Sequence, residues 1–375
     1  MKSKEVKFMF LSQEDVIKAG ALDMKRCLEV VEEGFVLLSK GDCLAGGPGE
    51  HEHGCRVWFP KEARGKNMPT LGPDRRFMAM VGYLGGRFNA CGTKWYGSNI
   101  ENREKGLPRS ILLVTLNDPN TGKPLVTMDG NIISAMRTGA VPGIAAKYLA
   151  GKDSKALGIV GAGVISKTCL MSLSIALSDL EEIYLYDINQ NNADNFCEFI
   201  KKITNVKKIY KVKNIRELSE NSDVISVATS GSILPDIKND WLKDGACLIL
   251  VGGISHQEEI YLSANLVVDD WKMHCKFQEE NEDRKIVEPL DNSMEDLPVA
   301  YINKLIKKGK ISEDNIIELG DIITGKNKID NSKKSMFISG GLPMEDISWA
   351  YEVYQNALEK GIGQELSLWK EPHFF

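Results

Sequence analysis

The chain has 375 residues, 43% of them hydrophobic, which is enough for two domains of ordinary size. A formal net charge of −5, with no basic run interleaved with aromatics, argues against a nucleic-acid partner. No stretch reaches the roughly 18 apolar residues that span a bilayer, and no repeat or heptad suggests a structural role.

The opening residues, MKSKEVKFMFLSQEDV, hold a four-residue apolar run, too short for the core of a secretion signal. The eight cysteines (27, 43, 55, 91, 169, 197, 247 and 275) form no Cys-x-x-Cys pair, as expected for reduced thiols in a cytoplasm. A helix is predicted over 23–38, followed by a glycine-rich polar region, 41–74. Within it His51, His53 and Cys55 invite a metal reading. No second cluster supplies further ligands, so a solvent-facing loop without metal is expected.

Apolar segments at 77–83, 92–96, 110–116 and 124–128, the last two separated by the DPNTG turn, predict an antiparallel sheet with helices on one side. Lys94, in GTKWYGSN, is embedded among apolar and aromatic neighbours. A buried ammonium there could hold a carboxylate or give a proton to an imine. An edge-strand lysine that blocks aggregation explains the spacing equally well.

A helix follows in which Ile133, Met136, Arg137, Ala140, Val141, Ile144, Ala145 and Tyr148 recur at three- and four-residue spacing. Arg137 therefore shares the apolar stripe, and a desolvated guanidinium needs an anion. Directly behind lies GIVGAGVIS, with Gly161, Gly163 and Ser166 as G-x-G-x-x-S between a strand and a helix. Strands are predicted at 156–160, 182–187, 208–212, 223–229, 246–251 and 265–270, alternating with helical segments at 167–177 and 191–203. Their unbroken apolar runs suit a parallel sheet covered on both faces. Asp187, at the end of the next strand, can accept hydrogen bonds from ribose hydroxyls and repel a 2′-phosphate. NAD is thus favoured over NADP; a solvated strand-end carboxylate is the plainer alternative.

His256, Glu258 and Glu259 follow the strand at 246–251, where open parallel sheets bind ligands, although solvent exposure explains them equally. His274 and His373 read as surface or packing residues. After a polar linker at 325–334, the strand SMFIS and a helix over 344–360 are expected to return to the first domain.

Taken together, GTKWYGSN, LNDPNTGKPLVTMDG, ISAMRTGAVPGIAAKYLA, GIVGAGVIS, EIYLYDIN and FISGGLPMEDISWAYEVYQNALEKGIG resemble the ornithine cyclodeaminase/mu-crystallin family. The resemblance implies an α/β fold: a Rossmann-type doubly wound parallel sheet (143–334) plus a discontinuous α+β substrate and dimerisation domain (1–142 and 335–375). It also implies a homodimer. By position, Arg56 and Lys94 would bind the substrate carboxylate, with Ser339 and Gly340 lining the pocket. Arg137, Thr138, Gly161, Gly163, Val164, Ile165 and Thr229 would contact the cofactor, Asp187 its adenosine ribose. Arg109 or Ser110 falls near a further cofactor contact.

Two departures bear on the reaction. The ornithine enzymes place an aspartate, their general acid/base, directly after the Val-Gly-Gly of the strand-end loop; here that position is Ile254. They also carry a glutamate shortly before Met-Pro, where Lys66 stands. The expected activity is therefore NAD-dependent hydride transfer at the CH–NH or C=N bond of a small amino or imino acid. Lys94 or His256 would manage the proton. A cyclodeaminase with internally recycled NAD and a non-catalytic, crystallin-like NAD(P)H-binding protein are the alternatives.

Overall fold

The computed structural model describes residues 4–72, 74–229, 233–287 and 297–374. Its two compact units are Met1–Arg137 with Leu342–Phe375, and Thr138–Gly341.

The first unit opens on β1 (Val6–Leu11). Ser12 and Asp15 form a reciprocal capping box that starts α1 (Gln13–Lys18), and Asp23 caps α2 (Met24–Ser39) through the Arg26 amide. The glycine-rich region 41–74, in which His51–Cys55 was expected as a solvent-facing loop, contributes two short strands, β2 (Cys43–Ala45) and β3 (Cys55–Trp58). Both pair antiparallel with β4 (Arg76–Leu84), so Cys55 begins a strand instead of lying in a loop. Glycine and histidine masked the short alternation of CRVW. Next come β5 (Ala90–Ser98), β6 (Ser110–Asn117) and β7 (Pro124–Asp129), then α3 (Gly130–Leu149). Side chains alternate across this sheet: Met78, Met80, Lys94, Val114, Leu116, Val126 and Met128 are buried on one face. Phe77, Val81, Trp95, Ile111 and Leu113 are exposed on the other.

The second unit continues through β8 (Ala156–Val160), α4 (Val164–Ala176), β9 (Glu182–Tyr186), α5 (Gln190–Ile203) and β10 (Lys208–Lys211). Then follow α6 (Ile215–Asn221), β11 (Val224–Val227), β12 (Cys247–Leu250), α7 (Glu258–Ser263) and β13 (Asn265–Val268). It closes with α8 (Trp271–Val287), α9 (Pro298–Lys307), β14 (Ile316–Glu318), α10 (Leu319–Ile323) and β15 (Ser335–Ile338). The sheet order is β10-β9-β8-β11-β12-β15-β13-β14, every pairing parallel. Strand order reverses between β8 and β11, the crevice where such sheets bind nucleotides. The domain boundary expected at 335 needs correction. SMFI is buried at all four positions between β12 and β13, so it belongs to the parallel sheet, not to the substrate domain.

The chain then returns to the first unit as α11 (Pro343–Lys360) and β16 (Gln364–Trp369), the latter antiparallel to β1. The first sheet thereby runs β16-β1-β7-β6-β5-β4-β2, with β3 also on β4. Helix α11 packs on α2 and on the buried face of β4, β5 and β6. It buries Ile347, Trp349, Ala350, Val353 and Ala357. The larger of these side chains contribute about 1.5–3 kcal/mol each.

Candidate functional site

Strand β5 lies inside the sheet, its Lys94 flanked in register by Met80 and Val114. The lysine is 3% exposed, and its Nζ donates to Asp346 Oδ2 at 2.8 Å, with Ser134 Oγ 3.4 Å away. An edge-strand role is thereby excluded. Arg137, expected on the cofactor phosphates, finds its anions on α11, the helix that carries Asp346. Its Nε donates to Asp346 Oδ1 at 3.0 Å and its Nη1 to Glu345 Oε2 at 2.5 Å, all three residues buried. Two cations thus meet two carboxylates away from water, the condition under which buried charge is tolerated. Burial pushes the Lys94 ammonium from the ordinary 10.5 down to about 8, and Arg137 adds repulsion; Asp346 restores part of the loss. Lys94 can therefore gain and lose a proton near neutral pH. Arg137 is held in its charged form, because Asp346 and Glu345 outweigh its burial.

Arg56 falls in the register row Arg56, Met78, Tyr96, Leu112, on the same face as Lys94. Its guanidinium contacts His53 Nδ1. The structure thus brings the two expected substrate cations to one sheet face, with Tyr96 in Arg56's row and its ring 5.8 Å from Lys94 Nζ. Arg109 and Ser110, expected along a cofactor, are engaged within this sheet. Arg109 and Ser98 both donate to the Asp74 carboxylate, and Ser110 Oγ donates to Ser98 Oγ at 3.1 Å.

In the second unit the glycine turn joins β8 to α4. Gly161 has φ +97°, and a Cβ there would stand 2.9 Å from Ala228 O, so only glycine fits. Gly163 caps α4 without a side-chain partner, leaving the positive helix end available to an anion. Asp187, at the end of β9, accepts the Ala162 amide at 2.6 Å and the Asn189 amide at 2.7 Å. Ile188, next in the chain, and Val164, at the start of α4, are 83% and 69% exposed, apolar surface suited to a base or ribose. Helices α3 and α4 touch at Gly139, the residue after Thr138, where an added Cβ would lie 2.3 Å from Thr168. Thr229 follows β11 at the carboxyl end of the sheet. These residues fit a dinucleotide: a tight turn, an uncapped helix end and a carboxylate at the next strand's tip.

The loop after β12 differs from expectation. His256 Nδ1 lies 2.8 Å from the Tyr261 hydroxyl, and its ring stacks on Tyr301 at 4.6 Å, so both phenols hold the imidazole. Ile254 is fully buried in the apolar core and offers no acid/base group. The amides of Gly340 and Gly341 donate to Asp269 Oδ2 at 2.6 and 2.9 Å, and Asp269 Oδ1 pairs with His274 Nε2 at 2.7 Å. Burial raises the Asp269 carboxyl, but His274 and the two amides more than offset this and hold it below the ordinary range. His274 is thus a buried partner in the Ser339–Gly341 turn. Asp269, Glu345 and Asp346 were not anticipated. Pro343, Asp346, Ala350, Val353 and Ala357 share one helical stripe, a signal of the same kind as that of Arg137. Among the described residues, no group of three or more His, Cys, Asp or Glu side chains is arranged around a metal position.

The model of the ornithine cyclodeaminase/mu-crystallin family matches residues 6–361. The N-((2S)-2-amino-2-carboxyethyl)-L-glutamate dehydrogenase of Staphylococcus aureus is 31% identical over 78% of this chain and 82% of its own. The alanine dehydrogenase of Archaeoglobus fulgidus is 32% identical over 75% and 81%. Among solved structures, Thermococcus litoralis Δ1-pyrroline-2-carboxylate reductase in complex with NADH and L-proline superposes with a TM-score of 0.77 at 31% identity, covering 95% of this chain and 99% of its own. The extent of these matches and the geometry above agree: the chain belongs to the ornithine cyclodeaminase/mu-crystallin family.

Proposed function

We propose that the protein is an NAD-dependent oxidoreductase acting on the CH–NH or C=N bond of a small amino or imino acid. The observation that carries this reading is the buried Lys94 paired with Asp346, its ammonium pushed down by burial to about 8. Bound at the glycine turn, the nicotinamide cofactor would supply the hydride exchange. The chain's own residues do the rest. Arg56 and Lys94 hold the substrate carboxylate, and Lys94 Nζ also takes the proton from the amine or returns it to the imine. Arg137 and Asp346 fix the position and charge of Lys94. Thr138, Gly161, Gly163, Val164, Ile165 and Thr229 would hold the dinucleotide, and the Asp187 carboxylate would favour NAD by repelling a 2′-phosphate. Ser339 and Gly340 would line the substrate pocket, and Asp269 holds the amides of Gly340 and Gly341. His256 steadies the loop after β12 through Tyr261 and Tyr301.

Ile254 favours this reaction over ornithine deamination, because a buried alkyl side chain cannot exchange protons. We also assign the exposed apolar face of the first sheet to a homodimer. Phe77 stacks on Trp95 at 5.6 Å there, beside Ile111, Leu113 and Val81. Such a patch marks an interaction site. A relative is described as an alanine dehydrogenase dimer with bound NAD (26% identity, TM-score 0.76, 97% of this chain and all of the other covered). The chemistry is tested by incubating the protein and NADH with cyclic imines and with mixtures of 2-oxo acids and amines. Consumption of NADH with one of these supports the reading. Tight NADH binding with no turnover across the panel would favour a crystallin-like binding protein.

A further inference from the structure

The face of β4–β6 that carries Lys94 holds more positive charge than one α-carboxylate needs. The row beyond Arg56 reads Trp58, Arg76, Ser98, Ser110 in register, two positions along and on the same face. Arg76 lays its guanidinium 5.4 Å from the Trp58 ring centroid and 5.9 Å from that of Tyr96. Lys94 Nζ lies 5.8 Å from the same Tyr96 centroid. Two cations therefore flank one aromatic ring.

A guanidinium lying over aromatic faces presents its edge of N–H donors to planar carboxylates. Arg76 and Arg109 both use the single Asp74 carboxylate, which also accepts Ser98. Glu101 is taken by Arg75 at 2.5 Å. Among the ion pairs of the described residues, two guanidinium groups thus share one carboxylate. Asp74 is held at φ +58°, a conformation that non-glycine residues seldom adopt, and its three donors keep it there.

We propose that Arg76 and Arg109 form a second carboxylate subsite, so that the preferred substrates are amino or imino acids bearing a distal carboxylate. The α-carboxylate lies toward Lys94 and Arg56, and the distal one reaches the Arg76–Arg109 pair past Tyr96. Asp74 competes for the pair and gives up part of its hydrogen bonding when that carboxylate arrives. This inference rests on the reading of the Lys94 face as the substrate site.

The test is calorimetric binding to the NADH-loaded, full-length protein, using oxaloacetate, 2-oxoglutarate and 2-oxoadipate against 2-oxobutyrate, 2-oxovalerate and 2-oxohexanoate. The expected result is that at least one diacid binds about tenfold or more tightly than its monoacid partner. Arg76→Gln should bring that ratio toward one. If Arg76→Gln does not fold, Asp74→Asn replaces it and should raise the ratio, since it releases both guanidinium groups. A ratio near one in the unaltered protein, or one that the folded variant leaves unchanged, overturns the subsite. So does a variant that weakens NADH binding and spares the ratio. Monoacid binding without diacid preference defeats only the subsite; no binding of any 2-oxo acid, with no turnover in the imine screen, defeats the functional reading as well.

Discussion

Lys94 and Asp346, 252 positions apart in the chain, meet at 2.8 Å with both side chains almost wholly removed from water. Each charge is tolerable only because of the other and of Arg137, which joins the same carboxylate 3.0 Å away. The pair therefore ties the C-terminal helix to the central strand and sets the proton affinity of the lysine.

Replacing Lys94 by Met keeps the stem and removes the proton carrier. Turnover should fall by about 10²–10⁴-fold, the usual contribution of a positioned acid or base. Steady-state rates of the variant with intact NADH binding are the measurement. Full activity would remove Lys94 from the site.

Proton affinity near 8 gives the two directions opposite pH dependence. Amine oxidation needs neutral Lys94, so its kcat/KM should rise with pH through about 8 and level off above it. Imine reduction needs the ammonium, so its kcat/KM should fall through the same interval. Profiles in both directions with one substrate pair check the sign. Parallel slopes would assign the proton elsewhere.

Asp346→Asn removes the charge that partly restores the Lys94 ammonium, so both inflections should move to lower pH. Arg137 keeps Glu345, yet the buried pair is broken, and a loss of about 3 kcal/mol of stability is expected. Denaturant unfolding measures the second effect and pH–rate profiles the first. A purely structural carboxylate would change stability and leave the profile in place.

Asp187→Asn keeps an acceptor for the Ala162 amide and deletes the negative charge facing a 2′-phosphate. The preference for NAD over NADP should drop by about tenfold or more in kcat/KM. An unchanged preference would place the ribose elsewhere.

The exposed Trp95 and Leu113 lie directly opposite each other in register on the outer sheet face. Leu113→Glu buries a charge in any interface there and should shift the protein to a monomer in sedimentation. A variant that stays dimeric would move the interface to another surface.

Much of this was legible in the residues, and the omissions have physical reasons. The parallel strands declared themselves because strands buried on both faces are apolar at consecutive positions, as in ALGIV and NLVV. The glycine turn was readable because Gly161 needs a positive φ between a strand and a helix. Arg137 on an apolar stripe announced a buried anion but not its source, since Asp346 is 209 positions away. SMFI was assigned to the wrong unit because a polar linker precedes it, and linker composition does not tell on which sheet the next strand pairs. Asp269 escaped notice, and His274 read only as a surface or packing residue, because their pairing depends on the Ser339–Gly341 turn, which is remote in sequence.

The central claim is net hydride transfer, and the most direct measurement is the NADH formed per molecule of amino acid consumed. With the preferred amino acid and excess NAD, the account predicts one NADH for each substrate molecule oxidised. Consumption of ornithine or lysine with release of ammonia and no accumulation of NADH would contradict it and establish a cyclodeaminase.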